Sequence, residues 1–421
     1  MSKISVAESQ DHFVKNGRPY FYLADTVWSA FTNITIPQWR EYLEFRRAQG
    51  FNALQITILP QWDRSRGYTH PEPFPLKGGR RDYTAPNGEY FQRAGEMVHM
   101  ARERGFLPAL VFLWCDCVAG TWASARLPGY EIPPEAIEAY AEYVVDSFAE
   151  FKPLYLISGD TDFKTPETAK IYLKALQTVK RLAPDALTVF HLNPDTDLPE
   201  EIVGAEQLDF YMYQSGHHLE SQDRAYKLAG KFAALPVKRP VVNGEPPYEG
   251  HGFGHRYGRF GAFHVRRAIW QSLLSGAKAG VTYGAHGIWS WHERGKEFPN
   301  AEFSSLPYAW HTALRFPGAW DAAYARTVFE TYDLFGLVAA GSPRECSREV
   351  RLAATPGGDK LAVYVPYAVE FTLDEDLSGC ELFMVDLEQR RTVRPEITVV
   401  SEGTRIHLPE FNADALFLAL K

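Results

Sequence analysis

Two segments of the chain end an apolar run in a carboxylic acid set behind small residues. Leu154, Tyr155, Leu156 and Ile157 lead into Ser158-Gly159-Asp160, and Val241-Val242 leads into Asn243-Gly244-Glu245. Each acid would emerge from buried backbone beside residues that leave room for a ligand. Two carboxyl groups so placed suit cleavage of a glycosidic bond, in which one protonates the leaving oxygen and the other attacks or activates water. A single acid in such a position is more often a helix cap or one half of a loop ion pair. A matched pair at two strand ends is harder to explain that way, so Asp160 and Glu245 are the candidate catalytic residues.

Other short apolar runs end in residues of complementary character. We take Asp25, Trp28, Gln61, Trp62, Trp114, Asp116, Asp162, His191, Asn193, Tyr213, Gln214, Tyr248, Glu249, His286, Trp289 and Trp291 as candidate substrate contacts, and Asp63, His217 and His218 share those ends. Acids and amides bond pairs of hydroxyl groups while Trp and Tyr rings stack on sugar faces, so the set suits a neutral polyhydroxylated ligand. Aromatics make up 14% of the residues, with 10 Trp and 22 Tyr, which fits either a sugar site or simply a large aromatic core.

Competing chemistries fare worse. A metal-dependent barrel hydrolase wants His-x-His at the first strand, where the chain has Leu23-Ala24-Asp25, so no metal and no cofactor is expected. A Schiff-base enzyme needs a strand-end lysine, and none of the ends carries one. Gly250-His251-Gly252-Phe253-Gly254-His255 lacks the Lys-Ser/Thr pair of a phosphate loop and reads as a mobile lid, from which His251, His255, Arg256 and Tyr257 reach toward the substrate. His217-His218 reads as a hydrogen-bonding or exposed pair rather than a metal pair.

The elements that would position these residues follow from the alternation of short β-type runs with longer helical stretches between 19 and about 290. Eight strands are expected, at 20–24, 53–59, 109–114, 154–157, 187–192, 208–213, 240–243 and 280–283, with helices such as 37–49, 91–104, 134–151, 166–182 and 257–275. Pro37 at a helix start and Gly50 at its end match helix-terminus chemistry. The pattern predicts an α/β fold, a (β/α)8 TIM barrel, and no glycine fingerprint follows the first strand to favour a doubly wound sheet. After about 335 the pattern changes to strands at 360–365, 381–385, 397–400 and 415–420, divided by turns such as Pro356-Gly357-Gly358. The expected division is a barrel with a short N-terminal β extension over 1–330 and a small antiparallel β-sandwich over 331–421.

A net charge of −8 argues against nucleic acid, and no apolar run is long enough to span a membrane. Four scattered cysteines, Cys115, Cys117, Cys346 and Cys380, form no disulfide framework, and the first residues show no basic segment leading into an apolar stretch. The expectation is a cytoplasmic protein whose partner is a small-molecule glycoside or oligosaccharide. Its oligomeric state is left open by the sequence.

Four stretches together resemble one family. Leu23-Ala24-Asp25-Thr26-Val27-Trp28, Ile157-Ser158-Gly159-Asp160-Thr161-Asp162, Asn243-Gly244-Glu245-Pro246-Pro247-Tyr248-Glu249-Gly250 and the stretch from Gly280 to Trp289 are similar, in order, to the apiosidase-like glycoside hydrolases of family 140 and their relatives. That resemblance implies a clan A-like retaining TIM barrel, with Asp160 as acid/base and Glu245 as nucleophile forming a covalent glycosyl-enzyme. Gly159-Asp160 stands where most clan A barrels have Asn-Glu. Readings from other classes are a transglycosylase or sugar isomerase using the same carboxylates, and a non-catalytic carbohydrate-binding barrel.

Overall fold

The computed structural model describes residues 3–367, 369–407 and 414–421. Eight parallel strands close into a barrel in chain order: β1 (Tyr22–Thr26), β2 (Ala53–Thr57), β3 (Leu107–Trp114), β4 (Leu154–Thr161), β5 (Thr188–Leu192), β6 (Tyr211–Gln214), β7 (Val241–Glu245) and β8 (Gly280–Tyr283). Small and branched side chains such as Ala53, Ala109, Val111, Leu156, Val189 and Val242 fill its interior, while Leu110 and Phe112 face the helical layer. This alternation is the two-residue period of a strand buried on both sides.

The connecting helices form where the sequence supplies both start and stop. Ile36–Gln49 opens with a capping box between Thr35 and Gln38 and closes on Gly50, whose φ of 97° suits glycine. A small three-stranded N-terminal sheet covers the barrel's lower end, where Phe13 meets Phe210 edge-on at 5.1 Å between ring centroids.

Two of the expected strands run further than their apolar cores. β4 continues to Thr161 and β7 to Glu245, so both candidate catalytic residues belong to strands rather than to the loops after them. Hydrogen-bonded ladder, not hydrophobicity, fixes a strand's end. The helix expected at 257–275 begins only at Ala262, and 250–260 is loop.

Beyond the last barrel helix, Gly318–Thr331, the chain forms two antiparallel sheets. Their strands are β9 (Val338–Gly341), β10 (Arg351–Ala354), β11 (Lys360–Val365), β12 (Phe371–Leu373), β13 (Glu381–Asp386), β14 (Arg391–Val393), β15 (Glu396–Val400), β16 (Gly403–His407) and β17 (Ala415–Leu420). The larger sheet runs β9-β10-β11-β17-β13-β14 and the smaller β12-β16-β15. Val363, Val365, Leu373, Met384, Ile406 and Phe417 form the core between them. Among the described residues no helix is long and apolar enough to cross a membrane.

Candidate active site

At the C-terminal edge of the barrel, Gly159 has its role fixed by crowding: a Cβ there would stand 2.1 Å from the Trp114 ring. Asp160 follows with φ 49°, a left-handed conformation that costs energy for a side-chain-bearing residue and clusters at functional sites. Three contacts hold it: Asp160 N donates to His191 Nδ1 (3.0 Å), Trp122 Nε1 donates to Asp160 O (2.8 Å), and Asn193 Nδ2 donates to Asp160 Oδ1 (3.1 Å).

Across the mouth, Gly244 leaves space for Met212, whose side chain would lie 2.3 Å from a Cβ. Its carbonyl accepts from Gln55 Nε2 (3.0 Å) and Thr282 Oγ1 (2.7 Å), which fixes the strand from both sides. Glu245 Oε1 accepts from Gln214 Nε2 (2.7 Å), and His217 Nε2 stands 2.8 Å from the same oxygen. Because His217 Nδ1 accepts from Tyr248 N (3.2 Å), a neutral His217 carries its proton on Nε2 and gives it to Glu245. His191 Nε2 lies 3.3 Å from Oε2 but is poorly aligned for a hydrogen bond. Oε2 is therefore the less encumbered oxygen.

The two acids are pushed in opposite directions. Burial raises the Asp160 carboxyl well above the carboxylate range, and the charge of Glu245 adds to it. Burial acts on Glu245 as well, but the interactions with His191 and His217 outweigh it and hold this carboxyl below its usual value. One acid is kept protonated and one ionised.

Both line a cavity of about 390 Å³, together with Trp28, Gln61, Trp62, Trp114, Asn193, Gln214, Tyr248 and Trp289 from the sequence-based set. Trp28 and Trp114 approach to 5.1 Å between centroids, and Trp28 Nε1 donates to Tyr248 Oη (3.0 Å). Trp62 Nε1, Trp114 Nε1, Gln61 Oε1 and Gln214 Oε1 have no protein partner among the described residues, an array suited to ligand hydroxyls.

Eight other candidate contacts are placed away from the cavity wall. Asp25 is fully buried on the helix side, where Tyr42 Oη and Arg46 Nε donate to its Oδ2, both at 2.6 Å. Tyr213 donates to Ala225 O, Trp291 stacks on Trp310 at 4.6 Å, and Glu249 accepts from Tyr283 Oη and Gly318 N, each at 2.8 Å. Those four stabilise the helical shell. The remaining four stand behind the wall: His191 between the Asp160 backbone and the Glu245 carboxyl, His286 accepting from Trp289 Nε1 (3.1 Å), Asp162 accepting from Trp122 N (3.0 Å), and Asp116 bonded by Cys117 Sγ (3.4 Å).

The structure adds lining residues outside that set. Asp63 and His217 come from the turns after β2 and β6, Trp122 and Arg126 from the segment after β3, and Asn300 and Phe303 from the segment after β8, Phe303 on its short helix Ala301–Ser304. Arg126 lies over the Trp62 ring at 4.9 Å. Of the supposed lid, His251 and His255 reach the cavity, whereas Tyr257 points into solvent. His218 lies against Phe303 at 5.2 Å between centroids rather than joining His217 as a ligand pair. Among the described residues no group of three or more His, Cys, Asp and Glu side chains is arranged to hold a metal ion.

Comparison with known proteins places this geometry. The profile of a family described as "Apiosidase-like, catalytic domain" matches residues 7–336. The chain is similar over its whole length to a solved structure described as a glycoside hydrolase, covering 97% of it with 18% identity and a TM-score of 0.81. It is also similar to a glycoside hydrolase family 5 structure from Bacteroides vulgatus ATCC 8482, with 19% identity, TM-score 0.82, and coverage of 100% of this chain and 93% of that one. A putative glycoside hydrolase from the same organism matches at 16% identity and TM-score 0.72, over 100% and 82% of the two chains. No curated protein matches by sequence.

Proposed function

The chain belongs to the apiosidase-like family and is a glycosidase; from that premise we propose that it hydrolyses its glycoside with net retention, through a covalent intermediate on Glu245. The observation that carries this reading is the opposed pair in one aromatic cavity, Asp160 held protonated and Glu245 held ionised. In the first step Asp160 gives its proton to the leaving oxygen while Glu245 Oε2 attacks the anomeric carbon. In the second, Asp160 takes a proton from water, which attacks from the face the leaving group vacated and displaces Glu245. Gln214 and His217 neutralise the carboxylate on Oε1 and aim the other oxygen, and Asn193 orients Asp160.

The cavity of about 390 Å³ lies toward the small end of the roughly 300–1,000 Å³ typical of ligand pockets, which favours a small glycoside or a chain end over a polymer groove. An imported oligosaccharide in the cytoplasm is the natural source of such a substrate. A panel of aryl glycosides that includes apiosides and arabinofuranosides tests the reading, with proton NMR following the first sugar released. Retained configuration and an undiminished rate after EDTA treatment are expected; an inverted first product, or activity restored only by one divalent ion, would refute it.

A further inference from the structure

Asp63 stands in the turn after β2 and lines the same cavity as Asp160 and Glu245. Its Oδ1 accepts from Gln61 Nε2 at 2.9 Å, and among the described residues its Oδ2 has no partner from another side chain. Among the described residues no cation forms an ion pair with it. The neighbouring Arg64 bonds Glu72 and the Gln61 carbonyl, Arg126 lies over Trp62, and the charged groups acting on Asp63 are Asp116 and Glu245, with Asp160 coupled to it in turn. Burial and those like charges push the Asp63 carboxyl up to about 7. A fold that wanted only a filled turn would place an amide here, since Gln61 needs no more than an oxygen acceptor.

We propose that Asp63 grips hydroxyl groups of the sugar held against Trp62 and that its charge helps Asp160 keep its proton. The second half rests on the retaining reading above; the first does not. A carboxyl at this point accepts from one or two hydroxyls, and the buried Trp62 Nε1 and Gln61 Oε1 beside it offer a donor and an acceptor to the same ring. Its negative charge in the shared cavity opposes ionisation of Asp160. Removing that charge lets Asp160 lose its proton more easily, so the basic limb of kcat/KM moves to lower pH.

Tryptophan fluorescence titrated with D-apiose and L-arabinose reports binding without turnover, since four tryptophans from the sequence-based set line the cavity. D63N should weaken binding of whichever sugar the wild type takes by about 10- to 100-fold, the span of a hydrogen bond to a charged group. It should also shift the basic limb down by on the order of half a unit to one unit, with an unchanged Tm. D63E, which keeps the charge but moves it, should retain the limb while still weakening binding. Wild-type affinity in D63N overturns the contact, an unmoved limb overturns the electrostatic role, and a large drop in Tm shows a structural role instead. If the wild type binds sugar but hydrolyses no glycoside, the retaining reading fails while the contact stands on the titration alone.

Discussion

Two clusters of buried acids in this molecule are built on opposite plans. Where the barrel meets the C-terminal sheets, every carboxyl oxygen has a donor. Arg266 Nη1 bonds Asp321 Oδ2 (3.0 Å), Arg390 Nη2 bonds Asp321 Oδ1 (2.7 Å), Arg266 Nη2 bonds Asp414 Oδ1 (2.8 Å), and Tyr364 Oη reaches Asp414 Oδ2 (3.1 Å). Around the cavity, among the described residues, Asp63 Oδ2, Asp116 Oδ2 and Asp160 Oδ2 have no well-aligned donor, Glu245 is held by Gln214 and His217 rather than by a fixed positive charge, and no arginine is bonded to any of the four. Pairing turns a buried acid into a structural joint; leaving it unpaired stores electrostatic energy that a substrate can use. Burial alone does not separate the two kinds.

That contrast predicts opposite mutational signatures. Glu245→Ala should lower kcat/KM by on the order of 10⁴-fold or more, as loss of a covalent nucleophile does elsewhere, while the protein stays folded. A variant that loses its fold instead of its activity would place Glu245 with the structural joints. Asp160→Ala should slow substrates with poor leaving groups by roughly 10²–10⁴-fold, the usual worth of a general acid, and barely slow aryl glycosides whose phenolate departs unaided. Equal slowing of both classes would remove the acid role.

Arg266→Ala should destabilise the chain by about 3–5 kcal/mol, since it strands two acids in a junction where the Arg266 and Asp321 side chains are 5% and 2% exposed. Activity per folded molecule should persist, which urea titration alongside kinetics checks. Asp116→Asn is the smallest and most discriminating change. Burial pushes that carboxyl up to about 6, so the folded state binds a proton more tightly than the unfolded chain. Its stability contribution is full below about pH 4 and falls as pH rises toward 6. The variant should therefore match the wild type near pH 4 and exceed it by about 1–3 kcal/mol at pH 8. A constant difference across that range would show that Asp116 is compensated after all.

The sequence made part of this legible. Asp160 and Glu245 stand out because an apolar run, one small residue and an acid coincide twice, and Gly159 and Gly244 are required by the packing of Trp114 and Met212. The wall residues were harder, because one position along a strand decides between cavity and helical shell. Tyr213 turns outward to Ala225 while Gln214 turns to Glu245, and the ladder to β7 breaks register between them. Asp25 and Trp291 carry the same ambiguity, as polar or aromatic groups near strand ends that pack outward. Trp122 and Arg126 lie on an irregular loop with no periodicity to read. In the C-terminal region the shorter strands β9, β10, β12, β14 and β16 carry too few alternating residues to register as strands, whereas β11 and β17 do.

The division of labour within the mouth is tested most directly by azide. In Glu245→Ala the deleted carboxylate leaves a space from which the anion can attack the anomeric carbon, so an activated glycoside should yield a glycosyl azide of inverted configuration. In Asp160→Ala the covalent intermediate still forms on Glu245, and azide entering from the opposite face should give a glycosyl azide of retained configuration. The account requires both products, each from its own variant. Inverted azide from Asp160→Ala, or near-normal turnover by Glu245→Ala without azide, would contradict it.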